Sequence, residues 1–580
     1  MLTDSPVVRA TGPRTLFLLG AIVTAAISLW MHQLRISGDL KGLTTIFFVL
    51  FAYEDYSSAV CAMLILGAAV FVAARLPAGS ILRAAGEHPR TIAALAAVVL
   101  CLGALFVYHD HPLSMDEYAA YFQSQVFAAG HLAGQFPLPL MDWLIPPGFQ
   151  NFFLSVSPTT GQVASAYWPA HALILTPFTA LGIPWACNPV LSALTALIIH
   201  RLALHIFDDV EAAGLALLLT VASPVFFGIG ISYYSMPAHL FTNSLYALLL
   251  VRPSALRALA AGFVGSVALC LHNPVPHMLF AVPWLIWIAT RPGGIRLLIL
   301  MGVGYLPLCM LLGIGWFEFT NHLRGAADNP ATQNDSTDRL RALTSVFAPP
   351  TATVLLARFV GVCKVWIWAV PGLVILAGCG ATRWRRSPLC LLFAASVVIT
   401  LIGYVFVPPD QGHGWGYRYF HSAWMGLPLL ATAAMFRPAG LSGVPQGSPE
   451  PPPGIFEGPE TKSYVTACAL LALVFGVGLR ALQMQDFIAK DLKQVPNYKG
   501  TEHRIVIVDD TGSFYGADLV QNDPWLRGNE IRMYTHGAAA DAQMMQQNFP
   551  LLHLVYADRH GTVWSTAPSQ LQTPSALPGH

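Results

Sequence analysis

The stretch Ser114-Met-Asp-Glu-Tyr-Ala-Ala-Tyr-Phe-Gln-Ser-Gln-Val-Phe-Ala-Ala-Gly130 brings two carboxylates together at a predicted helix start. Ser114 and Glu117 have the spacing of a capping box, in which a serine hydroxyl and a glutamate carboxylate satisfy the first backbone N–H groups reciprocally. Asp116 then falls in the first helical turn. Negative charge there is favourable by about 0.3–1 kcal/mol, so capping alone is one account of the pair. The other is catalysis by a carboxylate. Adjacent helical residues point about 100° apart, so the two are not expected to act as one two-carboxylate device. If one is catalytic it is Asp116, with Glu117 occupied by the cap. Tyr118, Phe122, Val126 and Ala129 recur at helical spacing and predict an amphipathic helix lying along a membrane surface.

The elements that must carry this helix are set by composition. Of 580 residues, 55% are hydrophobic and 11% charged, where soluble domains carry about 25% charged residues. Too few charges remain to solvate a surface of this size in water, and a bilayer removes that need. Backbone polar groups at membrane depth must be paired internally, and long apolar runs rather than alternation select helices. The expected fold is therefore an all-α polytopic membrane protein of about 11–13 transmembrane helices with a small C-terminal α/β domain. Thirteen candidate passes are 14–32, 57–75, 91–108, 184–206, 211–229, 231–251, 255–271, 273–290, 295–316, 358–380, 388–407, 419–436 and 464–483. Segment 168–182 is apolar but short, and reads as a helix half-embedded at the interface.

Arginines cluster at Arg9, Arg14, Arg75, Arg83, Arg90, Arg252, Arg257, Arg291, Arg296 and Arg383 to Arg386. The positive-inside rule then places the N-terminus in the cytoplasm and the loops 109–183 and 317–357 and the tail 484–580 outside. The first pass, with no small-residue cleavage site after it, reads as an anchor. Expected domains are an N-terminal hairpin (1–90), a membrane module (91–483) with a proline-rich cytoplasmic linker at 438–463, and the tail domain (484–580). In the tail, His503–Asp510, Glu530–Tyr534 and Leu551–Tyr556 read as strands and Asp541–Asn548 as a helix. The nine cysteines lie in or beside apolar stretches and form no CxxC pair, so neither a disulfide framework nor a thiolate metal site is expected. The net charge of +1 gives no reason to expect a nucleic-acid partner.

Further segments follow the Asp-Glu pair in a fixed order. They are Tyr167-Trp-Pro-Ala-His-Ala-Leu-Ile-Leu-Thr-Pro177, Gly182 to Asn188, Leu271-His-Asn-Pro-Val-Pro-His277, Phe319-Thr-Asn-His-Leu-Arg-Gly325 and His413-Gly-Trp-Gly-Tyr-Arg-Tyr-Phe-His421. Over residues 91–440 this ordered set resembles the GT-C glycosyltransferase superfamily, which includes protein O-mannosyltransferases and aminoarabinose transferases. Two passes, 14–32 and 57–75, precede the pass that opens into the catalytic-type loop, where relatives often have one, and His272 occupies a position where they carry a basic residue.

The resemblance implies an enzyme of the bacterial inner membrane that moves a sugar, with inversion, from a polyprenyl-phosphate donor to an acceptor outside the cytoplasm. The acceptor class (lipid, glycan or protein) is open. Asp116 would take the proton of the acceptor hydroxyl, with Glu117 beside it. Cations in a water-poor site would stabilise the departing phosphate. Arg418 is the first choice, because a guanidinium fork matches phosphate oxygens; snorkelling to water is the competing account. His272, His277, Arg358 and Lys364 are further candidates. The two histidines flank prolines, where polar side chains also satisfy broken backbone. Arg358 and Lys364 lie about 240° apart around a helix, so at most one is expected to face the site.

Tyr118, Asp142, His171, Asn321, His413 and Tyr417 are candidate donor or acceptor pocket residues. Trp366 and Trp368 read as interface belt residues. A divalent metal is left open and unassigned, since His413 and His421 lack tight ligand spacing. The rival reading is a transporter or flippase. It would bury ionisable residues at mid-membrane in repeated halves, whereas these passes are nearly free of charge at their centres and show no repeat.

Overall fold

The computed structural model describes residues 11–37, 45–325, 349–385, 387–407, 411–439, 454–500, 502–511 and 515–566. Seven helices are long and apolar enough to cross a bilayer: Thr11–Ser37, Ile46–Ala73, Pro89–Phe106, Pro184–Phe207, Gly294–Leu323, Pro388–Phe406 and Pro459–Asp491. An eighth is Val210–Val221 with Pro224–Gly230, if these are one span bent by 57°. The chain is thus a polytopic α-helical membrane protein.

The other expected passes are shorter or interrupted. Met236–Leu250, Ala255–Leu269 and Val275–Ala289 have 15 residues each. The 358–380 stretch is split into Ala352–Ile367 and Leu373–Ala381, and 419–436 into Arg418–His421 and Gly426–Met435. Each break has a local cause and a remedy. Pro371 removes a donor and Gly372 turns left-handed at φ 89°, which ends a helix. Freed backbone groups must find partners where no water reaches. At the 231–235 break the buried Asn188 amide donates to the carbonyls of Ser232 (2.6 Å) and Tyr234 (2.8 Å). At the 222–224 break the Val225 N–H donates to the Trp368 carbonyl at 3.0 Å. Apolar length in the sequence counts these segments as passes because it does not register such breaks.

The chain divides into two compact units. The membrane unit comprises Met1–Val107, Trp185–Ile314 and Asn334–Met484; the second comprises Tyr108–Pro184, Gly315–Gln333 and Gln485–His580. In the membrane unit, Ala255–Leu269 and Gly294–Leu308 approach so closely that a Cβ on Gly262 would meet the Met301 carbonyl. Small residues permit such contact between membrane helices. Of the expected linker, residues 440–453 lie outside the described residues. Its C-terminal end is tied down by Glu457, which pairs with Arg437 at 3.1 Å and with Arg383.

The second unit holds two sheets. Gly134–Gln135 (β1), Leu154–Val156 (β2) and Gln162–Ser165 (β3) form an antiparallel sheet in the order β1-β3-β2. Arg504–Val508 (β4), Glu530–Tyr534 (β5), His553–Asp558 (β6) and Gly561–Ser565 (β7) form another in the order β5-β4-β7-β6, parallel only between β4 and β5. The β7 strand was not expected from the sequence, and it inserts between β4 and β6. The tail helix covers Ala538–Asn548. Tyr118, Phe122 and Val126 of the Met115–Ala128 helix join Ile505, Ile507, Met533, Met544 and Met545 in one core. The stripe expected to lie on the membrane surface is therefore packed against protein, and Ala129, its last member, is exposed. The β4–β5 sheet face and the methionines of the tail helix offer the aromatic rings a close-packed partner, which buries apolar area without lipid.

Candidate functional site

In the second unit the chain reaches Ser114 through a tight left-handed turn, His109 at φ 57° and Asp110 at φ 49°. Non-glycine residues in this conformation store strain and cluster at functional sites. Ser114 then caps the Met115–Ala128 helix and the capping box with Glu117 forms as its spacing predicts. Glu117 is fully buried. Its carboxylate accepts from the Tyr108 hydroxyl (2.9 Å) and the backbone N–H groups of Leu113 (2.9 Å) and Ser114 (3.2 Å). Asp116 differs: it is half-buried and accepts from the Tyr167 hydroxyl, which comes from the Tyr-Trp-Pro segment. One carboxylate is thus enclosed by three donors, while its neighbour points a different way on the same turn.

Residues 518–522 clasp this helix start. Asp518 Oδ1 accepts from the Met115 N–H at 2.7 Å, and the Gln521 amide donates to the Pro112 carbonyl at 2.7 Å. The Tyr118 hydroxyl donates to the Asn522 carbonyl at 2.5 Å and accepts from the Asn522 N–H at 2.9 Å. Burial, reinforced by the negative charge of Asp116, pushes the Asp518 carboxyl up to about 7. Nearby, burial and the positive charges of Arg532 and His109 push His111 down to about 3, so its ring is neutral at pH 7.

Among the other residues singled out in this unit, His171 is buried near the start of the Ala170–Ala180 helix, which packs along Met115–Ala128. Asp142 is exposed and accepts from the Gln150 amide at 2.9 Å. Asn321 is half-buried on Trp316–Leu323, which packs on β2 and β3. The structure thus places Asp116, Glu117 and Tyr118 within one turn of helix, with Tyr167 and the helix of His171 alongside. Asp142 and Asn321 belong to other parts of the unit.

In the membrane unit, Arg418 is buried at the end of a loop wound around one side chain. The Gln411 amide oxygen accepts from the Arg418 N–H at 2.7 Å, its amide N–H donates to the Gly416 carbonyl at 3.1 Å, and the Gln411 carbonyl accepts from the Arg418 guanidinium. Gly416 turns left-handed at φ 68°, and a Cβ on Gly414 would collide with the Arg418 side chain. The guanidinium lies 4.2 Å from the Tyr234 ring, whose hydroxyl hydrogen-bonds His413 Nδ1 at 3.0 Å.

Arg358 is buried close by in the chain's tyrosine cluster: its Nε donates to the Tyr404 carbonyl at 2.7 Å, it bonds the Val407 carbonyl, and it lies 5.1 Å from the Tyr419 ring. Tyr417 also interacts with Arg358. Arg418, Arg358, His413 and Tyr417 are therefore neighbours through shared aromatic residues. His277 is elsewhere, its ring nitrogens 2.7 Å from Asn243 Oδ1 and 2.7 Å from the Tyr305 hydroxyl, a satisfied core histidine. His272 is half-buried in the turn before Val275–Ala289.

Lys364 faces a different partner from Arg358, in keeping with their angular separation. Its ammonium pairs with Asp55 at 2.7 Å. Arg480 meets the same carboxylate at 2.7 Å, and the Trp368 indole donates to it at 2.8 Å. Trp368 is 1% exposed, so it is part of this ion cluster and not of an interface belt. Trp366 donates to Thr24 at 3.0 Å.

Sequence reasoning missed Asp55, Arg480, Gln411 and Asp518. Asp55 and Arg480 gave a signal, since each is a charge at the edge of an apolar run; Gln411 and Asp518 gave none. Among the described residues no three His, Cys, Asp or Glu side chains form a set that could hold a metal.

No family model matches the chain, and no curated protein matches it. The chain is similar to solved structures, among them two of ArnT. ArnT from Cupriavidus metallidurans bound to undecaprenyl phosphate aligns over 83% of this chain and 98% of its own, at 12% identity and a TM-score of 0.48. ArnT from the same organism in the apo state aligns over 82% of this chain and 97% of its own, at 14% identity and a TM-score of 0.49.

Proposed function

We propose that the protein is a membrane glycosyltransferase that moves a sugar from a polyprenyl-phosphate donor to an acceptor on the extracytoplasmic side of a bacterial inner membrane. The observation that carries this reading is the division of labour between Glu117 and Asp116. Three donors enclose Glu117 and make it structural. Asp116 is held by the Tyr167 hydroxyl at the start of a well-packed helix, an arrangement suited to a positioned base. In the reaction Asp116 takes the proton of the acceptor hydroxyl as the oxygen attacks the anomeric carbon. The bond from that carbon to the phosphate oxygen breaks with inversion, and the polyprenyl phosphate leaves with the electron pair. Arg418 stabilises the phosphate, its fork oriented by Gln411 and Tyr234. Arg358 and His413 support it from the same aromatic cluster.

One observation favours the transporter or flippase reading: Asp55, Lys364 and Arg480 are buried ionisable residues on helices of the membrane unit. Buried charge in a membrane segment is a functional signal by default. Here the groups are paired with each other and with Trp368, which an architectural role explains. The test is incubation of proteoliposomes with a panel of radiolabelled polyprenyl-phosphate sugars and membrane extract. The proposal expects label in a new, acid-stable acceptor product. Label that crosses the vesicle wall while staying on its polyprenyl phosphate would replace the transferase with a flippase.

A further inference from the structure

We infer that Asp518 is a positioning residue for Asp116, so that the tail domain takes part in setting up the base. The inference rests on the reading of Asp116 given above. Its first support is the contact itself: Asp518 Oδ1 accepts from Met115, the first residue of the helix and the neighbour of Asp116. The first backbone N–H groups of a helix have no partner within it, so an acceptor aimed at one of them fixes where the helix begins. Ser114 and Glu117 serve the other end of the same box. Without Asp518, Met115 would depend on water at a place where its side chain is 1% exposed.

The second support is that this contact is one of several. Gln521 holds Pro112 and Asn522 exchanges two hydrogen bonds with Tyr118. Residues on both sides of Asp116 are therefore pinned by a five-residue segment some 400 positions away in the chain (the separation for Met115 and Asp518 is 403).

The third support is the company of carboxyls. Asp518 interacts with Asp116 on the helix and with Asp491 at the end of the last long helix. Asp491 is 2% exposed and neither of its carboxylate oxygens has a hydrogen-bond partner among the described residues. On the β5 side, Arg532 donates to the Leu519 carbonyl and bonds Glu530, and neutral His111 lies against Arg532. Ionisation of Asp518 places a second negative charge beside that of Asp116, which ties the surroundings of the base to the protonation of a tail residue.

Two variants separate holding from charge. Asp518→Asn keeps an acceptor for Met115 but cannot ionise; Asp518→Ala removes both. Full-length proteins would be compared by hydrogen exchange of the 112–122 segment and by the pH profile of transfer. Asp518→Ala is expected to exchange faster across 112–122 and to lose about 10- to 100-fold in kcat with KM for the donor within about twofold, as small misplacements of a reacting group do. Asp518→Asn is expected to exchange like wild type and to keep kcat within about threefold, and to lose the inflection near pH 7 that ionisation of Asp518 imparts to the wild-type profile. The inference is overturned if Asp518→Ala matches wild type in exchange and in rate, or if Asp518→Asn is as impaired as Asp518→Ala. Absence of transfer by wild type from every donor would reject the transferase reading; exchange of the 112–122 segment would still decide whether Asp518 holds the helix start.

Discussion

A buried carboxylate held by two cations and a group of three neighbouring carboxyls sit in different units of this protein, and they are built on opposite principles. Asp55, in the membrane unit, has a cation at each oxygen, Lys364 and Arg480, with Trp368 as a third donor. All three ionic groups are at most 2% exposed. In the second unit, Asp518 interacts electrostatically with both Asp116 and Asp491, while Asp116 accepts from the Tyr167 hydroxyl and Asp518 from the Met115 N–H. Opposite charges in contact favour the ionised state, and like charges in contact oppose it. The first cluster ties helices together through opposite charges; the second sets carboxyls beside one another at a helix start. Burial alone therefore does not mark a catalytic group. The kind of neighbour does.

The comparison is broken most severely at Asp55. Asp55→Ala leaves two buried cations without their counter-ion, which costs about 3–5 kcal/mol. Loss of folded monomer in size-exclusion chromatography is the expected outcome, together with a collapse of the thermal midpoint. A well-folded Asp55→Ala protein would remove the architectural role and return weight to transport. Within the transferase reading, Arg418→Lys is the next largest. It keeps the charge but loses the fork and the stacking on Tyr234. A fall of about 10- to 100-fold in transfer rate is expected, with the thermal midpoint nearly unchanged. Equal activity in the lysine variant would make Arg418 a structural residue of its loop.

Glu117→Gln tests the structural half of the Asp-Glu pair. Its amide offers one acceptor where the carboxylate serves three donors. Destabilisation of about 1–3 kcal/mol follows, read by thermal unfolding. The smallest effect is the pH dependence that Asp518 imparts. Its folded-state carboxyl is pushed up to about 7 by burial and by Asp116, while an unfolded aspartate titrates near about 3.9. The folded state thus holds a proton that the unfolded chain has lost. This contribution to stability is full below about pH 4 and declines as pH rises towards 7. Asp518→Asn is expected to narrow the gap in thermal midpoint between pH 5 and pH 8 by a few degrees; an unchanged gap would mean that Asp518 ionises without cost.

What the sequence made legible was local. Ser114 and Glu117 are three apart, and a capping box needs nothing else to be read. Apolar length found the helices and proline found some of their ends. What it hid is long-range. The Lys364–Asp55 pair spans 309 positions and Asp518 reaches Met115 across 403. No periodicity within a window of helical length carries such a contact. The same holds for the Tyr118 stripe. Its spacing announced an apolar face but not whether lipid or the β4–β5 sheet would cover it. Arg358 and Lys364 show the middle case, where helical geometry told that the two diverge and only the fold told which partner each one meets.

The most direct measurement of the central claim is the single-turnover rate of sugar transfer by wild type, Asp116→Asn and Glu117→Gln, each at saturating polyprenyl-phosphate donor and at a temperature where all three are folded. The account predicts that Asp116→Asn loses about 10²- to 10⁴-fold, the range of a positioned base, while retaining wild-type stability. Glu117→Gln should lose stability first and rate only through it. Transfer by Asp116→Asn within about threefold of wild type would return Asp116 to helix capping and contradict the account.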